Sequence, residues 1–182
     1  MKQIILALAA IALSPVVAPA QQAAQPETNP VSNYTRQVIE RESKSVVAAA
    51  DEMPADKYSF HPTPAQMTFG HLVVHMANTN NFLCAKISGT PAPASAADKL
   101  SDTDPKDKLV GALKASFDYC TAAMAKVDDS NLGEVLPLYG TRTVSRGGAM
   151  IMLTDDFYDH YSMAAIYLRL NGLLPPTAQH DK

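Results

Sequence analysis

Two short stretches of this sequence carry side chains of the types and spacing that hold a metal ion. The first, Phe69-Gly70-His71-Leu72-Val73-Val74-His75-Met76, sets His71 and His75 four residues apart. The second, Met152-Leu153-Thr154-Asp155-Asp156-Phe157-Tyr158-Asp159-His160-Tyr161, sets Asp156 four residues before His160. Residues at that spacing share one face of a helix. The face of the second stretch reads Ala149, Leu153, Asp156, His160, Met163, Ala164 and Tyr167. Its two ends are apolar, so the acid and the imidazole in its middle should point into a core. Such groups are costly to bury unless they are paired or bound to a metal. One histidine of the first stretch with Asp156 and His160 would supply two neutral imidazoles and one carboxylate. These are donors suited to Zn, Ni, Mn or Fe(II), with positions left for water or substrate. The bland alternative is an Asp156–His160 hydrogen bond, or Asp156 turned to solvent beside Asp155 and Asp159. Asp155, Asp159 and Tyr161 are candidates to support the site. His61, among aromatic residues and prolines, and His180, near the C-terminus, are not expected to ligate.

The elements that must position these residues are parsed by proline, which costs about 3 kcal/mol inside a helix. The long proline-free windows are 31–53, 65–90, 106–136 and 138–174. The first helix is expected from Pro30 to Met53, capped by the Asn29 side chain, with Tyr34, Val38, Ile39, Val46, Ala49 and Met53 at helical spacing. Ala55–Met67 reads as a structured loop. Thr68 opens the second helix and Gly89 stops it. A long connection over 90–104 follows. Asp104 is expected to cap the third helix, which runs to about Val127. Val135–Val144, around Gly140, has the composition of a short hairpin. The fourth helix runs from about Arg146 to Asn171, with Gly172 as its stop. The sum is an all-α four-helix bundle over 30–176.

The chain has 182 residues, 47% of them hydrophobic and 18% charged, with a formal net charge of -3. That is room for one domain with a proper core and excludes a disordered charged tail. The lack of a basic excess argues against nucleic acid as partner. Lys2, the apolar run from Ile4 to Leu13 and the small-residue site Ala18-Pro19-Ala20 form the pattern of a secretory signal peptide over 1–20. The mature chain would begin at Gln21, with a flexible leader over 21–29 and a polar tail over 177–182, and would be periplasmic or secreted. No later segment is apolar and long enough to span a bilayer.

The stretches "MTFGHLVVHMANTNNFLCAKISG" and "SRGGAMIMLTDDFYDHYSMAAIYLRLNGLLPP" together resemble the DinB family. The resemblance covers about 31–176, and "FGHLVVHMA" and "HY…YLRLNGLLPP" carry most of it. It implies an up-down-down-up bundle with a long connection between the second and third helices. It also implies one divalent metal, bound by a histidine of the second helix and an H-x-x-x-H pair on the last. Carried onto this chain, the ligands are His75, position 156 and His160, with His71 in reserve one turn earlier. Position 156 is Asp here rather than His, and Ser162 stands where many members have Gly. Characterised members include thiol-dependent S-transferases and isomerases.

The parallel second and third helices implied by the resemblance bear on the two cysteines. An exported chain with two cysteines suggests one disulfide. Cys84 and Cys120 lie at similar depth, counted from Thr68 and Lys106. Parallel helices would bring them level, whereas antiparallel ones would offset them by roughly 15 Å. The alternative is a pair of buried free thiols. Three functions remain open: a metal-dependent transferase or hydrolase on a small-molecule substrate, a non-catalytic metal-binding protein, and a structural or interaction bundle with a degraded site. A homodimer is compatible with each.

Overall fold

The computed structural model describes residues 25–94 and 100–179. The signal-peptide and cleavage-site expectation and His180 lie outside the described residues. Four helices make the frame: α1 (Pro30–Glu52), α2 (Phe69–Ser88), α3 (Lys106–Met124) and α4 (Arg146–Leu170). Between α3 and α4 stands a two-stranded antiparallel hairpin, β1 (Val135–Pro137) and β2 (Thr143–Ser145), with Leu136 opposite Val144. No helix among the described residues is long and apolar enough to cross a membrane.

The helix ends depart from the expected caps in an instructive way. Asn29 takes a left-handed conformation, and its side chain does not cap α1. The cap comes from far along the chain. The Asp129 carboxylate accepts from the backbone N–H of Val31 at 2.9 Å and of Ser32 at 2.8 Å. The Asn29 side chain accepts in turn from the Asp129 N–H at 3.2 Å. A carboxylate there satisfies otherwise orphaned donors and faces the positive end of the helix dipole. Arg36 of α1 acts in return at the C-terminal end of α3, donating to the Met124 and Val127 carbonyls at 3.1 and 2.8 Å. Asp104 likewise does not cap α3, which follows Pro105. Its carboxylate accepts from the Ser101 N–H and from Lys108 at 2.9 and 2.8 Å. The caps on α2 and α4 are local. Thr68 Oγ1 accepts from the His71 N–H at 3.0 Å, and Ser145 Oγ from the Gly148 N–H at 3.1 Å. These two caps fix the start, and hence the register, of the two helices that carry the candidate ligands.

The core lies along the bundle axis. α2 packs against α3 and α4, and α1 packs against α3 and α4. At one end Phe69 and Tyr167 are fully buried, and the Tyr167 hydroxyl donates to the Met67 carbonyl at 2.9 Å. Gly70 is required here, because a Cβ would meet the Asp102 carbonyl oxygen well inside van der Waals contact. Between α2 and α3, Cys84 and Cys120 form a disulfide with their Cα atoms 5.3 Å apart. One turn earlier on both helices, Asn80 Nδ2 donates to Ser116 Oγ at 3.0 Å. Between α1 and α4 the Tyr34 and Tyr158 hydroxyls are 3.4 Å apart. The tail is not loose over its described part. The Tyr161 hydroxyl donates to Thr177 at 2.8 Å, and Gln179 donates to Glu52 at 2.6 Å.

Candidate metal centre

His75 on α2 and Asp156 and His160 on α4 meet between the two helices. One ligand atom from each lies within 4.8 Å of the other two. The imidazole rings of His75 and His160 are 4.7 Å apart, centroid to centroid. His160 is buried, while His75 and Asp156 are half-buried, so the cluster sits at the edge of the core rather than at its centre. The α4 stripe read from the sequence does face inward: Ala149, Leu153, Ala164 and Tyr167 are buried and flank Asp156 and His160. Met163 is only half-buried.

The hydrogen bonds set the roles of the three groups. His160 Nδ1 lies 2.7 Å from the Asp156 backbone carbonyl. That carbonyl can only accept, so Nδ1 carries the proton and Nε2 is left with its lone pair. The Asp156 carboxylate oxygen Oδ1 is 3.4 Å from the same Nδ1, a looser approach. Its other oxygen, Oδ2, is buried and has no partner. A buried carboxylate oxygen without a partner costs free energy, and a cation is the partner its chemistry fits. Two imidazoles and this oxygen therefore fit a divalent ion.

The electrostatics of the two imidazoles differ. Burial lowers the pKa of His75, and the neighbouring His160 lowers it further, so His75 stays neutral below the usual pH. Burial acts on His160 in the same direction, but the Asp156 carboxylate and carbonyl outweigh it and raise the pKa. His160 therefore holds a proton more readily than a free imidazole when no metal competes for it.

The other residues singled out in the sequence fall elsewhere. His71 is exposed and turns to Asp102, at 4.0 Å, so the structure does not bring the reserve ligand into the cluster. His61 is exposed, with Nδ1 2.9 Å from the Thr63 carbonyl. Asp155 and Asp159 are exposed, and the Tyr161 hydroxyl is taken up by Thr177. None of the three supports the cluster by direct contact, although the Asp159 charge helps to raise His160. Sequence reasoning missed Tyr139. It stands in the turn of the hairpin and stacks on Phe82 of α2, with ring centroids 4.4 Å apart and planes 12° apart. Only its aromatic character at the tip of a polar turn could have marked it.

Four packed helices with two histidines and an aspartate converging from α2 and α4 define a class of helical bundles with a buried-edge ligand cluster. The chain belongs to the DinB superfamily, whose model matches residues 39–164. No curated protein matches it. Among solved structures it is similar to a DinB-like protein from Bacillus cereus. The TM-score is 0.65 at 15% identity, over 79% of this chain and 95% of that one. It is also similar to a DinB-like protein from Bacillus subtilis, with a TM-score of 0.61 at 18% identity, over 77% and 92%. A mycothiol-dependent maleylpyruvate isomerase is similar too. The TM-score there is 0.59 at 15% identity, and 72% of this chain covers 59% of that one. At these identities the likeness is one of fold.

Proposed function

We propose that this chain is an exported DinB-family protein that binds one divalent metal ion through His75, Asp156 and His160 and acts on a small molecule there. The observation that carries the reading is Asp156 Oδ2, buried and unpartnered beside two imidazoles. His160 would bind through Nε2, because its Nδ1 proton is given to the Asp156 carbonyl. The carboxylate would offset the charge of the ion, and the half-buried edge position leaves a side of the cluster open to solvent. A bound Zn, Ni, Mn or Fe(II) ion would supply Lewis acidity, lowering the pKa of a thiol or hydroxyl or polarising a carbonyl. A transferase or hydrolase acting on a small substrate fits that chemistry. The mycothiol-dependent isomerase among the structural neighbours shows that this fold can carry thiol-dependent chemistry on a small molecule.

The order of the helices supports an up-down-down-up bundle. Asn80 with Ser116 and Cys84 with Cys120 advance together along α2 and α3, as parallel helices do. Met67 with Tyr167 and His75 with His160 advance in opposite senses, as antiparallel helices do. The N-terminal pattern Lys2, Ile4–Leu13 and Ala18-Pro19-Ala20 supports a periplasmic or secreted location with the bundle over 30–176. The net charge of -3 supports small molecules rather than nucleic acid as partners.

One observation favours a second reading, a bundle kept for structure after its site has degraded. Asp156 Oδ1 stands 3.4 Å from His160 Nδ1, an ion pair that holds the site together without metal. Metal analysis of the purified mature protein by mass spectrometry separates the two. One equivalent of a transition metal per chain, removed by chelator and restored on titration, is the expected result. No binding of Zn, Ni, Mn or Fe(II) at micromolar concentration would leave the second reading.

A further inference from the structure

The stripe of α2 that carries His75 continues toward its C-terminus through Thr79, Phe82 and Lys86, all on one face. The ring of Phe82 is stacked by Tyr139 and approached by the Lys86 ammonium, 5.5 Å from its centroid. Tyr139 belongs to the turn of the hairpin. That turn is closed by the Leu138 N–H donating to the Arg142 carbonyl at 2.8 Å and the Arg142 N–H donating to the Tyr139 carbonyl at 3.0 Å. β1 packs on α2 and β2 on α4, so the hairpin spans the same two helices that hold the three ligands. By the pairing of His75 with His160 and of Met67 with Tyr167, Phe82 lies about one turn along α2 from the level of Asp156, so the stack sets Tyr139 toward the Asp156 end of the cluster.

Its hydroxyl is not needed for this placement. Phenylalanine would stack on Phe82 equally well, and 52% of the Tyr139 surface stays exposed. Two influences act on the phenol, burial and the negative charge of Asp156, and both keep the proton on it. Tyr139 is therefore a protonated donor, held by a rigid stack, close enough to Asp156 to feel its charge. Asp156 itself keeps one buried carboxylate oxygen, Oδ2, without a partner.

We infer that Tyr139 orients the small molecule bound at the His75–Asp156–His160 site. Its hydroxyl donates a hydrogen bond to an anionic or carbonyl acceptor on that molecule, and Phe82 holds the ring in place. The inference rests on the metal reading above and names a residue that contacts the ligand of the same site. The acceptor would be a carboxylate, a thiolate or a polarised carbonyl, each of which takes a phenolic donor.

Protein loaded with Co(II) tests this, with azide as the probe anion and the visible absorption of the cobalt as the readout. Tyr139→Phe keeps the stack and should keep one equivalent of cobalt, while azide affinity falls about 10- to 100-fold, as expected for a lost hydrogen bond to a charged acceptor. Phe82→Leu, which loosens the ring but spares the hydroxyl, should weaken azide binding by a smaller factor. Equal azide affinity in wild type and Tyr139→Phe, with cobalt bound in both, would overturn this inference and leave the metal reading intact. Failure of the wild-type cobalt protein to take up azide would also overturn it, since no open position would face Tyr139. Failure to bind cobalt at all would instead defeat the metal reading, and this inference with it.

Discussion

α2 faces two neighbours, and the two seams it makes handle buried polarity in opposite ways. Toward α3 it presents Asn80 and Cys84, and Cys84 is joined covalently to Cys120. Toward α4 it presents His75, which meets Asp156 and His160 with no bond that closes the group. Each seam leaves one buried oxygen without a partner, Asn80 Oδ1 on one side and Asp156 Oδ2 on the other. What differs is the charge and the company. Asn80 Oδ1 is a neutral amide oxygen beside a serine and a disulfide, none of which makes a cation site. Asp156 Oδ2 belongs to a carboxylate beside two imidazoles, one of which presents a free Nε2. Leaving a neutral oxygen unpaired costs about 1–3 kcal/mol, and leaving a charged one costs more. The expensive defect falls at the proposed metal site, and the cheaper one sits in the disulfide-bonded seam.

The largest expected effect breaks the α2–α4 seam alone. His160→Ala removes the most deeply buried ligand and should weaken metal binding at least about 1,000-fold, measured by titration calorimetry. His71→Ala should leave affinity unchanged, because His71 turns to Asp102 instead. Asp156→His, which restores the imidazole the family pattern would place there, should keep or tighten binding. Equal binding by wild type and Asp156→Ala would remove Asp156 from the ligand set.

The α2–α3 seam is broken by the Cys84→Ala/Cys120→Ala pair. The bond closes a loop with a sequence separation of 36. Its loss should lower stability by roughly 3–4 kcal/mol in denaturant unfolding on the loop-entropy account. The folded double variant should still bind metal with wild-type stoichiometry. If metal binding falls with the disulfide, the two seams are one cooperative unit and the contrast fails.

Acidification sharpens the comparison, because only the α2–α4 seam titrates near neutrality. Asp156 raises His160 above the ordinary 6.5, so proton competition with a metal begins on the alkaline side of that value. His75 is lowered and joins only at more acidic pH. Affinity should therefore fall about tenfold per pH unit at first, then more steeply once His75 also takes a proton. The signs reverse in the metal-free protein. A raised folded pKa means that the His160 contribution to stability is fully present below 6.5 and is lost as pH rises through the folded value. His75 works against it, losing its contribution as pH falls below 6.5. The melting temperature should thus depend weakly on pH without metal and fall on acidification with metal. A metal-loaded protein whose melting temperature does not change between pH 8 and about 5.5 would contradict the ligand set.

How much of this was legible in the sequence follows from the range of each interaction. The helices were, because Pro54, Gly89, Pro105 and Gly172 punctuate the chain locally. The α4 stripe was, because Asp156 and His160 interrupt an apolar face with a spacing that only a helix brings together. The caps of α1 and α3 were not. Asn29 and Asp104 have the right types in the right places. Asp129, far along the chain, outcompetes Asn29, and Ser101 and Lys108 draw Asp104 away. Choosing His75 over His71 needed the family pattern, since both share a face and only their long-range neighbours separate them. Tyr139 was invisible for the same reason: its significance lies in Phe82, a residue of another element.

The smallest expected effect concerns the two unpartnered oxygens themselves. At a pH above the folded pKa of His160, where that ring is neutral and gains nothing from the carboxylate charge, Asp156→Leu removes the charged one and should stabilise the metal-free protein by about 1 kcal/mol while abolishing metal binding. In wild type the same oxygen should contribute stability only when metal is added, in proportion to the logarithm of its concentration over the dissociation constant. On the other seam Ser116→Ala leaves the Asn80 amide without its acceptor and should destabilise by about 1–2 kcal/mol. Asn80→Leu/Ser116→Ala replaces both polar partners by apolar groups and should recover most of that loss, since exchanging a whole buried pair is close to neutral. Neither Ser116→Ala nor the double variant should change metal affinity. The crossed result, in which Asp156→Leu destabilises the metal-free protein while Asn80→Leu/Ser116→Ala stabilises it, would mean that the Asp156–His160 contact at 3.4 Å outweighs the unpartnered oxygen. The α2–α4 cluster would then be a structural ion pair, and the seam toward α3 would be the one under strain.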